Sequence, residues 1–174
     1  MAITDSPNSV PPGYQNPPII DAREVVKRYE SGAGEVTALR GVNLQVLPGE
    51  FVTVMGPSGS GKTTLLNCLS LLDEISSGGI ALDGQLVHSV KDAKRTSLRA
   101  KYMGFIFQSF NLIPVFSAVE NVELPLLLNK LSPKKARAAA LETLDRVGLG
   151  HRVSHKPNEL SGGEQQRVAI ARAL

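Results

Sequence analysis

The pattern of hydrophobic and polar residues predicts short β-strands in the first half of the chain. Runs rich in β-branched residues, separated by turn residues, indicate strands at Ile20–Tyr29, Val36–Leu39, Val42–Leu47 and Ile80–Val87. Turns are expected at Ser31–Gly34, Pro48–Gly49, Ser76–Gly79 and near Asp83–Gly84. Two compact apolar runs are typical of buried parallel strands: Phe51–Met55 and Met103–Phe107.

Helical spacing of apolar residues is more common in the second half. It predicts helices at Lys62–Leu72, Asp92–Lys101, Val119–Lys130, Ser132–Gly148 and Gly162–Leu174. Pro125 interrupts the third of these, whereas Ser132 and Pro133 supply an N-cap and a first-turn proline to the fourth. Strands mixed with helices in this order predict an α/β domain.

The composition fits one domain with its own core. The chain has 174 residues, of which 42% are hydrophobic and 20% charged, so no disulfide or metal is needed to hold it together. Residues 1–18 are rich in proline and predict a disordered leader, and residues 19–174 predict the domain. The single cysteine, Cys68, lies in an apolar helical run and is predicted to be a buried structural thiol.

Charge and hydropathy narrow the classes of partner. The net charge of +3 is mild and does not indicate a nucleic-acid partner. No run approaches the roughly 18 apolar residues that would span a bilayer, and no signal peptide is evident. The sequence therefore predicts a cytoplasmic protein whose link to a membrane comes through a partner. His88, His151 and His155 have no metal-ligand spacing and are expected on the surface.

The strongest motif is a glycine-rich loop between a predicted strand and a predicted helix. It matches G-x-x-x-x-G-K-[ST], in which glycines let backbone N–H groups converge on a polyphosphate at a helix start. Lys62 is expected to reach the β- and γ-phosphates, and the Thr63 hydroxyl to ligate Mg²⁺. The nucleotide-binding residues of this loop are Gly56, Pro57, Ser58, Gly59, Ser60, Gly61, Lys62, Thr63 and Thr64. The motif alone leaves kinases, GTPases and ATPases open.

A second motif, Leu160–Arg167, combines a helix N-cap at Ser161 with two glycines in the first turn. Two consecutive glycines destabilise a helix start, which suggests that a ligand approaches the backbone closely. This stretch resembles the signature motif of ABC-type ATPases, in which one subunit closes over the nucleotide of the other. The resemblance implies a head-to-tail dimer of ATPase subunits. The residues that would act on the partner's ATP are Ser161, Gly162, Gly163, Glu164 and Gln165.

Other positions are similar to the same family. Tyr29 resembles the aromatic residue that stacks on adenine, and Gln108 resembles the glutamine that senses Mg²⁺ and the attacking water. The stretches Phe107–Pro114 and Glu120–Val122 resemble the subfamily that serves lipoprotein release and macrolide or peptide export. The implied fold is an α/β P-loop NTPase with a parallel sheet, a small antiparallel β subdomain and a helical signature subdomain near residues 115–155.

The resemblance also shows what this sequence lacks. After Thr64 no run of four or more apolar residues ends in Asp-Glu, the pair that would hold Mg²⁺ and orient water, and no later histidine can be assigned to the γ-phosphate. No catalytic residue is therefore assigned. The domain is expected to be incomplete at its C-terminus, and the chain alone is expected not to hydrolyse ATP. The run Phe51–Met55 is then expected to face an unpaired sheet edge.

The resemblance implies an ATP-binding subunit that couples ATP and Mg²⁺ to export or extraction through a separate membrane permease. It would lie peripherally on the cytoplasmic face of the inner membrane. One alternative is a non-hydrolytic ATP-binding fragment that modulates an intact partner. Kinases or GTPases are disfavoured by the second motif, and ABC ATPases of DNA repair or translation by the absence of long coiled coils or tandem domains.

Overall fold

The computed structural model describes residues 17–32, 34–87 and 90–174. The chain divides into two compact units, Met1–Thr96 and Ser97–Leu174. The predicted leader, residues 1–18, and His88 fall almost wholly outside the described residues. No helix of the described part is long and apolar enough to cross a bilayer.

The first unit is built on a four-stranded sheet. Its strands are β1 (Ile20–Ser31), β2 (Gly34–Val46), β3 (Ser77–Leu82) and β4 (Gln85–Leu86). They lie in the order β2-β1-β3-β4, and each neighbouring pair is antiparallel. The antiparallel sheet predicted from the early strands is confirmed.

Two glycines explain where the observed strands differ from the predicted ones. Gly41 has a φ of +79° and forms a bulge, so the two runs predicted as separate strands join into β2. The turn predicted at Ser76–Gly79 is wrong, because β3 already begins at Ser77. A Cβ on Gly78 would lie 2.2 Å from the Glu24 carbonyl oxygen, so only glycine lets β3 pass this close to β1.

The helix α1 (Lys62–Leu69) contacts β1 and β2 and closes the core of this unit. It ends three residues before the predicted Leu72, since Leu71 takes a left-handed φ of +59°. Cys68 is 1% exposed, which confirms the predicted buried thiol, and burial raises the pKa of that thiol. The other buried apolar residues of the unit include Ala22, Val25, Leu39, Leu69, Leu71, Ile80, Leu82 and Val87.

The prediction of buried strands at Phe51–Met55 and Met103–Phe107 is wrong for the described residues. Both segments lack helical or strand structure and pair with no strand of the described chain. Phe51 is 93% exposed and Met55 85%. An apolar run becomes a strand only when a neighbour satisfies its backbone N–H and C=O groups. The unpaired sheet edge expected at Phe51–Met55 is likewise not formed in the described residues, because the segment is not a strand of the sheet.

The second unit is helical. After α2 (Asp92–Tyr102), which crosses the unit boundary, come α3 (Ala118–Leu128), α4 (Pro133–Arg146) and α5 (Gly162–Ala173). Short 3-10 turns at Gly150–Arg152 and Pro157–Glu159 join α4 to α5. The predicted helices are confirmed, and α3 runs through Pro125 without ending. Ser132 occupies the N-cap of α4 as predicted, although its side chain makes no capping bond.

The helices α3, α4 and α5 pack on one another around one apolar cluster. Its buried members are Ala118, Val119, Val122, Ala140, Leu144, Leu149, Leu160, Val168 and Ala171. Small residues at the contacts let the helix axes approach closely, and the larger ones fill the space between them.

One buried amide organises the loop that leads into α3. Asn121 is fully buried, and its Oδ1 accepts from the Ile113 N–H at 2.7 Å. Its Nδ2 donates to the carbonyls of Ile113, Phe116 and Ser117 at 3.0–3.2 Å. A buried amide satisfied in this way replaces the backbone partners that the loop lacks.

Asn121→Ala is expected to destabilise the helical unit by about 2–4 kcal/mol, because it removes these bonds and leaves buried backbone groups unsatisfied. Urea unfolding followed by circular dichroism measures the loss. Asn129→Ala is the control, since Asn129 is an exposed C-cap residue. Equal losses in the two variants would contradict the role given to Asn121.

Candidate functional site

The glycine-rich loop takes a conformation that only glycine permits at its key positions. Gly56, Gly59 and Gly61 have φ values of +155°, +77° and +89°. A Cβ on Gly61 would lie 2.8 Å from the Ala38 carbonyl oxygen, and one on Gly56 would lie 2.9 Å from Ser60 Oγ. The loop therefore packs against β2, and these glycines place no side chain of their own over its backbone.

The loop presents cationic and donor groups to its interior. Lys62 Nζ donates to the carbonyls of Gly56 at 2.9 Å and Pro57 at 2.6 Å. The first i→i−4 bond of α1 runs from the Leu65 N–H to the Gly61 carbonyl, so the amides ahead of Leu65 have no such partner. No acidic residue lies in this first turn. The helix dipole and the ammonium group thus both favour an anion here.

Thr63 is exposed at this helix start, so its hydroxyl is accessible to a cation bound beside an anion. The bare loop, the ammonium group and this hydroxyl together fit a polyphosphate with Mg²⁺. The other predicted metal ligand, Gln108, is an exposed turn residue of the second unit.

Tyr29 lies at the end of a polar cluster that sequence reasoning missed. Its hydroxyl donates to Asp73 Oδ2 at 2.7 Å, and its ring is 4.7 Å from Lys27 Nζ. The hydrogen bond to Asp73 and burial raise the pKa of the Tyr29 hydroxyl, and a hydrogen bond with Thr64 partly offsets that rise. The structure therefore brings Tyr29 beside Thr64 at the end of the glycine-rich loop, with 39% of the Tyr29 surface exposed.

Asp73 holds this cluster together. It accepts from Lys27 Nζ at 2.6 Å, and Lys27 also donates to the Glu74 carbonyl at 2.7 Å. Partial burial opposes ionisation of Asp73, but the hydrogen bonds from Lys27, Tyr29 and the Glu74 N–H outweigh it and lower the pKa of its carboxyl. The sequence pattern did not predict the pairing of Lys27 with Asp73, because the two residues lie more than forty positions apart.

The second motif forms a capped and unobstructed helix start. Ser161 Oγ accepts from the Glu164 N–H at 3.3 Å, and the Ser161 N–H donates to Glu164 Oε2 at 2.8 Å. These hydrogen bonds with Ser161 lower the pKa of the Glu164 carboxyl. Gln165 Nε2 donates to the Leu160 carbonyl at 3.0 Å.

Nothing in the described part of the chain requires the two glycines of this motif. A Cβ on Gly162 would meet nothing within 4 Å, and one on Gly163 would meet only an Arg167 nitrogen at 3.9 Å. Neither glycine takes a left-handed φ. Alanine would fit both positions and favour the helix. The backbone at this helix start is therefore uncovered by side chains.

His155 differs from its prediction as a surface residue. It is half-buried, and its Nε2 lies 3.1 Å from Arg152 Nη1. Arginine only donates, so Nε2 accepts and the proton sits on Nδ1, which is buried without a partner among the described residues. Arg152 Nε lies 3.2 Å from Glu164 Oε1. His151 is exposed, as predicted.

Comparisons with known proteins agree on one family. The model of the ABC transporter family matches residues 39–174. The lipoprotein-releasing system ATP-binding protein LolD of Alcanivorax borkumensis is 49% identical over 157 residues, which are 90% of this chain and 69% of that protein. An uncharacterized ABC transporter ATP-binding protein of Thermotoga maritima is 47% identical over 156 residues, covering 90% of this chain and 67% of that protein.

A solved structure gives the same result. The dimeric, post-hydrolysis structure of the ATP-binding cassette MJ0796 with ADP and phosphate superposes with a TM-score of 0.82 at 46% identity. The superposition covers 89% of this chain and 68% of that one.

Asp73→Asn is expected to destabilise the protein by about 2 kcal/mol at neutral pH, since it leaves the Lys27 ammonium without its counter-charge. The folded-state pKa of Asp73 is lowered, so its contribution to stability is present above the unfolded pKa of about 4 and is lost as the pH falls through the folded-state pKa. Denaturant unfolding at pH 7 and at stepwise lower pH tests this.

The matched control is Glu30→Gln, an exposed carboxylate one residue after Tyr29. It is expected to change stability by less than about 0.5 kcal/mol at any pH. A loss in Asp73→Asn that stays constant into strong acid would show that the charge of Asp73 is not what stabilises the cluster.

Proposed function

Because the chain belongs to the ABC transporter family of ATP-binding domains, we propose that it is the ATP-binding subunit of an ABC transporter. The observation that carries the proposal is the glycine-rich loop, whose bare backbone and inward-turned Lys62 form an anion site at the start of α1. The family implies ATP hydrolysis, with Mg²⁺ as the accompanying ion.

Each residue of the proposed site has a role that its chemistry supports. Tyr29 presents an exposed aromatic face for adenine, anchored through Asp73. Lys62 exchanges two neutral carbonyl acceptors for the β- and γ-phosphates, which as anions are the stronger partners. Thr63 and Gln108 supply the hydroxyl and amide oxygens that Mg²⁺ accepts as ligands. Mg²⁺ held by these two residues would supply positive charge next to the phosphates.

The signature residues Ser161–Gln165 are proposed to act on the ATP of a second subunit. Support comes from the two open glycines, which nothing in their own unit requires. The free amides of the α5 start and the Ser161 hydroxyl are donors suited to a phosphate. A head-to-tail pair would place one such helix start over each nucleotide.

The remaining parts of the proposal concern the whole transporter. We propose that the subunit couples ATP to export or extraction through a membrane permease, at the cytoplasmic face of the inner membrane. The similarity to a protein named for lipoprotein release supports this direction. No nucleic-acid partner is proposed.

A second candidate is a non-hydrolytic ATP-binding module that modulates an intact partner. One observation favours it: no residue of this sequence can be assigned as the Mg²⁺-binding aspartate or the catalytic base, since no run of four or more apolar residues after Thr64 ends in Asp-Glu. We propose that the chain alone binds ATP without turning it over. Phosphate release above background from the purified chain would exclude this second candidate.

Lys62→Ala is expected to weaken ATP binding by about ten- to a hundredfold, as loss of a charge-assisted contact to phosphate would. Isothermal titration calorimetry with Mg·ATP measures the affinity, and thermal unfolding checks that the fold is kept. Lys94→Ala removes an exposed lysine of the same unit and should bind like the parent protein. Unchanged affinity in Lys62→Ala, or a clear preference for GTP, would refute the proposed site.

Gly163→Ala is expected to raise the stability of the helical unit by about 0.5–1 kcal/mol, because alanine is the better helix former and has room. The same change should abolish ATP-dependent association of subunits while leaving ATP binding to a single chain intact. Sedimentation velocity with and without Mg·ATP separates the two effects. Gly32→Ala, at an exposed and unobstructed position, is the control. Association that persists in Gly163→Ala would contradict a role in trans.

A further inference from the structure

The backbone on the C-terminal side of Gln108 is strained. Gln108 and Ser109 occupy the centre of a turn closed by the Phe110 N–H and the Phe107 carbonyl at 3.0 Å. The Asn111 N–H then bonds the Ser109 carbonyl at 2.6 Å. Phe110 and Asn111 both take left-handed φ values, +58° and +49°. Such a conformation costs about 1 kcal/mol or more for a bulky residue, so other contacts must hold it.

Arg172 supplies those contacts. Its guanidinium donates through Nη2 to the Phe110 carbonyl at 2.7 Å and through Nη1 to the Asn111 carbonyl at 2.5 Å. Within the described part of the chain its hydrogen bonds go to these carbonyls, and no carboxylate pairs with it. Burial lowers the pKa of this guanidinium without removing its charge. A planar fork fits two adjacent carbonyls, which an ammonium group does not.

The same turn of α5 also holds the segment before Gln108. A Cβ on Gly104 would lie 2.2 Å from the Ala173 carbonyl oxygen, so the backbones touch there. Gln108 therefore stands in an exposed turn fastened on both sides to the last turn of α5. The first turn of α5 carries Ser161–Gln165, and a helix of 12 residues spans about 18 Å.

We propose that Arg172 is a positioning residue: through the Phe110 and Asn111 carbonyls it fixes Gln108 at a set place relative to the signature turn of the same helix. The proposal rests on the proposed function of Gln108 and Ser161–Gln165. It makes α5 a rigid link between the residue that senses Mg²⁺ on a subunit's own nucleotide and the residues that contact the partner's nucleotide. We call the two hydrogen bonds from Arg172 to the Phe110 and Asn111 carbonyls the clamp. A movement at either end of α5 is transmitted to the other end through this clamp.

The first test is amide hydrogen exchange on the full chain without nucleotide. Arg172→Ala is expected to speed exchange of the Phe110 and Asn111 amides about tenfold or more, and Arg172→Lys by less. The buried helix α4, read at Ala140 and Leu144, reports whether the unit remains folded. Arg146→Ala removes an exposed arginine of the same unit and should change nothing. Unchanged exchange at Phe110 and Asn111 in Arg172→Ala overturns the clamp.

The second test separates positioning from simple structural support. The ratio of ATP affinity with Mg²⁺ to that in EDTA is measured for the parent, Gln108→Ala, Arg172→Ala and the double variant. We expect Arg172→Ala to lower the ratio to the Gln108→Ala value, the double variant to match it, and Arg172→Lys to restore it in part. A parent-like ratio in Arg172→Ala, or losses that multiply in the double variant, overturns positioning through Gln108.

The two tests distinguish failure of the positioning role of Arg172 from failure of the proposed nucleotide site. A Gln108→Ala ratio equal to the parent's shows that Gln108 does not serve Mg²⁺; the proposed role of Gln108 and the positioning role of Arg172 then both fall. Exchange at Phe110 and Asn111 still decides the clamp itself in that case. Loss of ATP binding in every variant and the parent, with the exchange result intact, would refute the proposed nucleotide site and leave the clamp standing.

Discussion

A helix start with no side chain in front of it leaves its backbone amides accessible to an anion, and both glycine-rich motifs form such a start. At α1 the glycines are required by the chain itself, because Gly61 has a φ of +89° and a Cβ there would lie 2.8 Å from the Ala38 carbonyl oxygen. At α5 they are not, since Gly162 and Gly163 have open space and ordinary φ values. The glycines of the first loop are therefore required by their own unit, whereas those of the second are not required by any contact within the described residues.

Buried or half-buried polar side chains fix the local structure at three places in the chain. Asp73 joins Lys27 to Tyr29, Asn121 fixes the loop entering α3, and Arg172 fixes the turn after Gln108. In each case the anchor binds backbone carbonyls or a charged partner, so its desolvation is compensated. The apolar cluster of α3, α4 and α5 supplies stability, but it is these anchors that determine the conformation of the loops.

The exposed apolar segments show that a local sequence pattern does not predict whether an apolar run becomes a buried strand. Phe51–Met55 has the composition of a buried strand, yet Phe51 is 93% exposed and the segment has no ladder partner in the described chain. β-branched residues favour an extended backbone, but the hydrogen bonds of a sheet come from a second strand. Such a segment exposes both apolar side chains and unpaired backbone groups, a combination that favours association.

The sequence by itself determined the family, the glycine-rich loop and the places of the helices, because these follow from residues close together in the chain. The Gly–Lys–Thr spacing, the N-cap at Ser161 and the helical repeat of α4 are local signals of backbone geometry. Only the tertiary structure decided that Tyr29 is anchored by Asp73, that β2 is a single bulged strand, and that Arg172 grips the turn after Gln108. These contacts join residues up to 62 positions apart. Tertiary packing determines which residues meet, and the spacing of residues within one segment does not predict it.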